Sequence, residues 1–337
     1  MYSKNNSKEV MKSVTQKIDA NHSQLETLVK IGRGMQSGAN DIFVFRDKPL
    51  KFPKAFLKKR INGNKIEKYT ITMPTEYILY LEQINEFEQL STSIQQYLLN
   101  HRTQLANRSA KKASLKWWNY ASPTYKKYYH LDKLWCSSKS VQNGFAYDNN
   151  FEYIGIADTM VIFDINKDIS LKYLLALLNS SLLMFRHKVI EPPSGKSIGQ
   201  LPIVTTDKVT QQCLITFVDY IIYLKQQPFY RSKNLDLREV QDRLMVSFFE
   251  QIIDGMVYEL YFPEDLHQGE KYFLNVLAKE NLPPLGKMSG DKMTTLRTIF
   301  ERLFDKEHTI RHNLFFLDSL PIIRMIEGKP YYANHEY

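Results

Sequence analysis

The run from Leu171 to Phe185, LKYLLALLNSSLLMF, is the segment that most limits how this chain can fold. So apolar a stretch has to be covered. It is shorter than the roughly 18–20 residues a membrane span needs, and it carries Asn179, Ser180 and Ser181. It therefore predicts a buried helix, with Ser170 as its N-cap. With 43% apolar residues over 337 positions, the chain can build the core that such a helix requires.

Flanking patterns place further elements. Ile42–Phe45, Lys65–Thr72, Leu134–Cys136, Phe151–Ile156 and Thr159–Asp164 read as short strands. Tyr77, Leu81, Ile84, Phe87, Leu90, Ile94 and Leu98 recur at three- and four-residue steps, which predicts one helix after Pro74. Leu201-Pro202-Ile203 leads into a helix over about 211–227. Leu237, Val240, Leu244, Phe248, Ile252, Met256 and Leu260 form one stripe of a longer helix. Thr294–Phe304 is a further helix, and Leu320–Ile326 a last strand or turn. The fold class is α+β: a mixed, short-strand domain with a helical pair, followed by a mostly helical domain. Composition shifts set the boundaries at 1–30 (an arm or linker helix), 31–230 and 231–337.

Charge separates the two ends of the chain. Residues 1–140 hold 24 Lys and Arg against 11 Asp and Glu, a surplus of 13, and the remainder carries a deficit of 4. A basic half joined to a mildly acidic one points to a polyanionic partner. Within it, Arg108, Lys111, Lys112, Lys116, Lys126 and Lys127 alternate with Trp117, Trp118, Tyr120, Tyr125, Tyr128 and Tyr129. Cations attract phosphate and aromatics can stack on bases, so this stretch suits a nucleic-acid surface. The tryptophans read better as core, and the lysines fit a solvated face equally well.

Several chemistries lack their signatures. Gly32–Asn40 has no Gly-Lys-Ser/Thr ending, and a strand is expected after it, so it is neither a P-loop nor a dinucleotide fingerprint. Its Gln36, Ser37 and Asn40 could still face a phosphate or a base edge. The Pro192-Pro193 and Pro283-Pro284 pairs lack the aromatic that would stack on an extruded base. Pro263-Glu264-Asp265 with Glu270-Lys271 only loosely mimics a nuclease cluster, and the histidines show no metal spacing. Cys136 and Cys213 have no CxxC spacing, which fits a reducing cytoplasm better than a disulfide framework or a thiolate zinc site. The first residues, MYSKNNSKEVMKS, have no apolar run and do not read as a signal peptide.

Three stretches, taken in order, resemble the C-terminal specificity region of TaqI-like adenine-N6 DNA methyltransferases, a region shared with type IIG restriction–methylation enzymes. Ile31 to Phe43, IGRGMQSGANDIF, is similar to the family's GI-x-TG-x-N-x-x-F segment. Tyr173 to Ser180 is similar to its YLLALLNS helix. Leu201-Pro202-Ile203 is similar to the LPI exit shared with type I specificity subunits. The likeness spans about residues 25–230.

The resemblance implies sequence-specific recognition of double-stranded DNA in a restriction-modification system, without a catalytic domain in this chain. About 30 residues precede the region where the family has a methyltransferase domain, so a fragment or a separate specificity subunit is expected. S-adenosylmethionine would then sit on a partner or missing domain, with no cofactor and no metal here. The partners expected are duplex DNA and either a methyltransferase domain or subunit docked on Phe248–Leu260, or a second copy. A cytoplasmic location and no membrane contact are expected.

Lys58, Lys59, Arg60, Lys111, Lys112, Lys116, Lys126, Lys127 and Lys196 are the candidate phosphate contacts. Gln36, Asn40, Arg108 and Asn143 are the candidate base readers. The alternatives are a scaffold binding RNA or an acidic protein, and a metal-dependent nuclease.

Overall fold

Short strands and long helices segregate into separate parts of the molecule. In chain order the strands are β1 (Ser23–Gln24), β2 (Lys30–Arg33), β3 (Val44–Phe45), β4 (Leu57–Ile61), β5 (Glu76–Leu79), β6 (Lys133–Ser137), β7 (Ala146–Asp148), β8 (Tyr153–Gly155), β9 (Thr159–Phe163) and β10 (Pro202–Ile203). The computed structural model describes residues 4–20, 22–72, 76–81, 84–108, 116–121, 128–138, 144–149, 153–189 and 195–329. Contacts divide the chain into two compact units, Val29–Asp164 and Met1–Leu28 with Ile165–Tyr337. The α+β class is as expected.

Val29–Asp164 holds two four-stranded sheets. One has the order β2-β9-β6-β7 and is antiparallel throughout. The other has the order β3-β5-β4-β8, with β4 and β8 parallel. Ile61, Ile78, Leu79, Ile94, Leu98, Trp118, Tyr120, Trp135, Ile154 and Val161 belong to its core. Strand β6 is buried along its whole length, so both of its faces are covered. Trp135 fixes one close approach: a Cβ on Gly155 would lie 2.4 Å from the indole ring, so only glycine fits there.

Three local expectations change in this unit. Residues Asn40–Phe43 form a helical turn, and only Val44–Phe45 is strand. The turn arises because Ile42 and Phe43 both donate their N–H to the Ala39 carbonyl and both bury their side chains. Lys65–Thr72 is not a continuous strand. A single bridge pairs Ile66 with Ile71, and Tyr69 between them has φ 73°, outside the strand region. The single helix expected after Pro74 is instead β5 followed by a helix at Thr92–Asn100. Tyr77 and Ile78 pair with strands on both sides; an aromatic and β-branched run there overrides the helical spacing.

The other unit is built from helices. Leu171–Asn179 and Ser181–Val189 replace the one apolar helix, separated by Ser180 in an extended conformation. Ser170 caps the first of them, its Oγ accepting from the Lys172 N–H at 3.3 Å. Helix Lys208–Gln226 packs against Leu171–Asn179 and, through Phe217 and Tyr220, against Phe249 of helix Leu237–Tyr261. The contacts therefore divide the chain near 164, whereas the composition change lies near 230. Asp254 receives both the N–H and the hydroxyl of Ser181, each at 2.7 Å, which fixes the start of the second apolar helix. Strand β1 pairs with β10, and Pro321–Ile326 is a short helix rather than a strand, with proline in its first turn. Among the described residues no helix is long and apolar enough to cross a membrane.

Candidate nucleic-acid interface

Between β3 and β4 the chain reads RDKPLKFPKAFLKKR over residues 46–60, with Asp47 as its only carboxylate. This connection is firmly built. Phe52 donates its N–H to the Pro49 carbonyl at 3.2 Å, closing a turn with Leu50 and Lys51 at its corners. The Phe52 ring is buried 5.7 Å from Phe45 and 5.2 Å from Tyr97. Tyr97 in turn donates its hydroxyl to the Ile42 carbonyl at 2.8 Å. Burial and the nearby Asp41 carboxylate both raise the Tyr97 pKa, so the hydroxyl stays protonated and donating. The Lys51 ammonium lies 4.9 Å from the Tyr97 ring centre, over its face.

Past Phe52 the chain makes a short turn at Lys54–Phe56 and enters β4. A groove of about 440 Å³ opens here, lined by Lys48, Lys54, Ala55, Leu57, Lys58, Lys59 and Tyr77. The pairing of β4 with β5 sets Lys59 opposite Tyr77. Lys58 lies 5.2 Å from the Tyr80 ring and 5.8 Å from Tyr129, over a stacked pair of rings 5.3 Å apart. Four lysines thus contribute to the lining of one groove, beside Ala55, Leu57 and Tyr77. Such a surface attracts a polyanion by Coulomb force and gives its sugars or bases an apolar contact.

Arg60, next on β4, does other work. Its Nη1 donates to Glu76, and its Nη2 donates to Asp158 at 2.9 Å, with only 10% of the side chain exposed. Asp158 also accepts the Gly63 N–H at 3.0 Å. Arg60 is therefore a structural ion pair and not a phosphate contact. Arg108 is likewise engaged. Its Nε donates to the Leu105 carbonyl, Nη1 to Ser37, and Nη2 to both Trp117 and Asn119, all within 2.9 Å. Burial lowers its pKa. Four of its five N–H donors serve backbone carbonyls.

Gln36 and Asn40 are exposed on the glycine segment. Asn40 accepts the Ser37 hydroxyl through its side-chain oxygen, and its amide nitrogen remains a donor toward solvent. Lys116 pairs with Glu86 at 3.4 Å and covers the Trp118 ring at 5.5 Å. Lys111, Lys112, Lys126, Lys127 and Asn143 lie outside the described residues. Lys196 falls in the short helix Gly195–Gly199, and its side chain is outside them too.

Among the described residues, the aromatics of the 108–129 stretch do not form a stacking platform; Tyr125 lies outside them. Trp118, Tyr120, Tyr128 and Tyr129 are buried in the core, and Trp117 packs 5.2 Å from Phe87. The tryptophans thus pack as core residues. The Phe248–Leu260 face is not a docking surface either. Phe248, Ile252 and Met256 are buried in their own unit, and it is Leu237, Val240 and Leu244 that are exposed. In the 263–271 segment Asp265 pairs with Lys17 at 3.0 Å. No group of three or more His, Cys, Asp or Glu among the described residues is placed to hold a metal ion.

Of the residues that line this groove, the sequence reading named Lys58 and Lys59 but not Lys48, Lys54 or Tyr77. The signal was present: basic residues recur every few positions from Arg46 to Arg60. It was masked by the prolines and by the misread helix that contained Tyr77.

Residues 58–205 match the TaqI-like C-terminal specificity domain, and the match begins on β4 at Lys58. No curated protein matches the chain. The expected resemblance therefore holds for this span, and the chain carries a TaqI-like specificity domain.

Proposed function

We propose that this chain, with its TaqI-like specificity domain at residues 58–205, is the module that reads a duplex DNA site for an adenine methyltransferase of a restriction-modification system. The single observation that carries this reading is that the family match begins on the strand forming the lysine groove. Lys48, Lys54, Lys58 and Lys59 would neutralise phosphates and set the register of the protein on the duplex. Gln36 and Asn40, exposed on the glycine segment, would present amide groups to base edges, where asparagine and glutamine pair best with adenine. Methyl transfer and S-adenosylmethionine binding are assigned to a partner domain or subunit.

Selection from a randomised duplex pool tests this. The full chain, alone and with a partner methyltransferase, should enrich one short motif, and RNA of equal length should compete poorly. Enrichment of no motif, or equal competition by RNA, would remove the reading.

A further inference from the structure

The turn that closes the basic loop carries an apolar tip. Leu50 is 94% exposed, while Phe52, two residues on, is 4% exposed. Isolated exposed leucines are common on protein surfaces, so exposure alone assigns nothing. Three further features set this one apart. Lys48 and Lys51 flank it in sequence. Pro49 and Pro53 fix the backbone on either side of it. The Phe52 N–H bond to Pro49 and the Phe45–Phe52–Tyr97 ring cluster anchor the turn beneath it.

We propose that Leu50 is an apolar wedge that this turn presses into a base step of duplex DNA, a role that rests on the DNA-recognition reading above. Unstacking a base step costs free energy, so an inserted side chain must be held by a support that does not deflect. The prolines and the buried Phe52 supply that support. The inserted group must also be apolar, since a base face freed from its stack offers no hydrogen-bond partners. Leucine meets that need, and its burial between bases recovers apolar area that the free protein leaves in water. Lys48 would hold a phosphate beside the opened step, while Lys51 braces the turn over the Phe52 and Tyr97 rings. A cation beside an apolar tip is what a kinked duplex complements.

The proposal separates Leu50 from the lysines experimentally. Duplexes of the selected site, with 2-aminopurine at successive positions, report unstacking as a rise in fluorescence. The full-length wild-type chain should raise fluorescence at one step and not at the others. Leu50→Ala should abolish the rise and weaken site binding about five- to tenfold, with the salt dependence unchanged. Leu50→Phe, a larger apolar group, should retain the rise. Because the side chain is exposed, Leu50→Ala should unfold at the wild-type temperature, which excludes misfolding as the cause. Duplex binding with no fluorescence change at any position, or with the same change in Leu50→Ala, would overturn the wedge and leave the recognition reading standing. Absence of salt-dependent duplex binding would overturn both.

Discussion

The Arg108 guanidinium donates to the Ser37 carbonyl at 2.7 Å, tying the glycine segment to a residue 71 positions away. The same group holds the Trp117 and Asn119 carbonyls at 2.8 and 2.7 Å. One side chain thus fixes the ground on which Gln36 and Asn40 stand.

Removing it should cost stability rather than charge-driven binding. Arg108→Met removes a donor from four carbonyls, of which Ser37 keeps the Ala121 N–H, and a fall of about 2–4 kcal/mol in unfolding free energy is expected. Urea unfolding measures it. A change below about 0.5 kcal/mol, within the range of ordinary surface substitutions, would show that the guanidinium is not structural.

Arg60 gives a parallel case on β4 itself. Asp158→Ala strips the Arg60 Nη2 and the Gly63 N–H of their shared acceptor. Because the pair is only partly buried, the expected loss is about 2–3 kcal/mol, below that of a fully buried ion pair. Arg60→Met should likewise lower stability while leaving the salt slope of DNA binding unchanged, in contrast to its neighbours Lys58 and Lys59. A slope reduced by Arg60→Met would return that residue to the phosphate contacts.

Both cysteines should be inert in the folded protein. Burial pushes the Cys136 thiol up to about 12 and the Cys213 thiol up to about 11, from a usual 9.0. At pH 8 the native thiolate fraction of Cys136 is on the order of 10⁻⁴, so a thiol reagent should label it only after unfolding. The same shift carries a pH dependence. A thiol whose folded pKa is raised contributes stability that is fully present below pH 9 and is lost as pH rises from 9 through about 12. Denaturation at pH 8, 9.5 and 10.5, with Cys136→Ala as reference, measures it. Equal slopes for the two proteins would contradict the assignment.

How much of this was legible in the sequence depended on whether neighbours along the chain or across the fold decide the outcome. The strand at Leu134–Cys136 and the cap at Ser170 follow from local pattern, and both are found. The stretch Tyr77–Leu98 carries a helical spacing, yet Tyr77–Leu79 is strand because β3 and β4 flank it. Only the tertiary pairing reveals that, since strand preference is set largely by neighbours on the sheet.

The candidate site shows the same division. A basic stretch was visible, but the division of labour within Lys58-Lys59-Arg60 was not. Lys59 lines the groove while Arg60 is held by Glu76 and Asp158, a carboxylate 98 residues away. Long-range partners of this kind leave no local trace. The family-like segments at Tyr173–Ser180 and Leu201–Ile203 identified the domain more securely than charge did, because their order is independent of surface composition.

Duplex binding of the wild-type chain and of the combined Lys48→Gln, Lys54→Gln, Lys58→Gln and Lys59→Gln variant, measured from about 50 to 200 mM salt, tests the central claim most directly. Each lysine in contact with a phosphate contributes close to one unit to the slope of log affinity against log salt. The groove account predicts a steep wild-type slope and a variant slope shallower by about three to four, with folding intact. A wild-type slope near zero, or an unchanged slope in the variant, would contradict it.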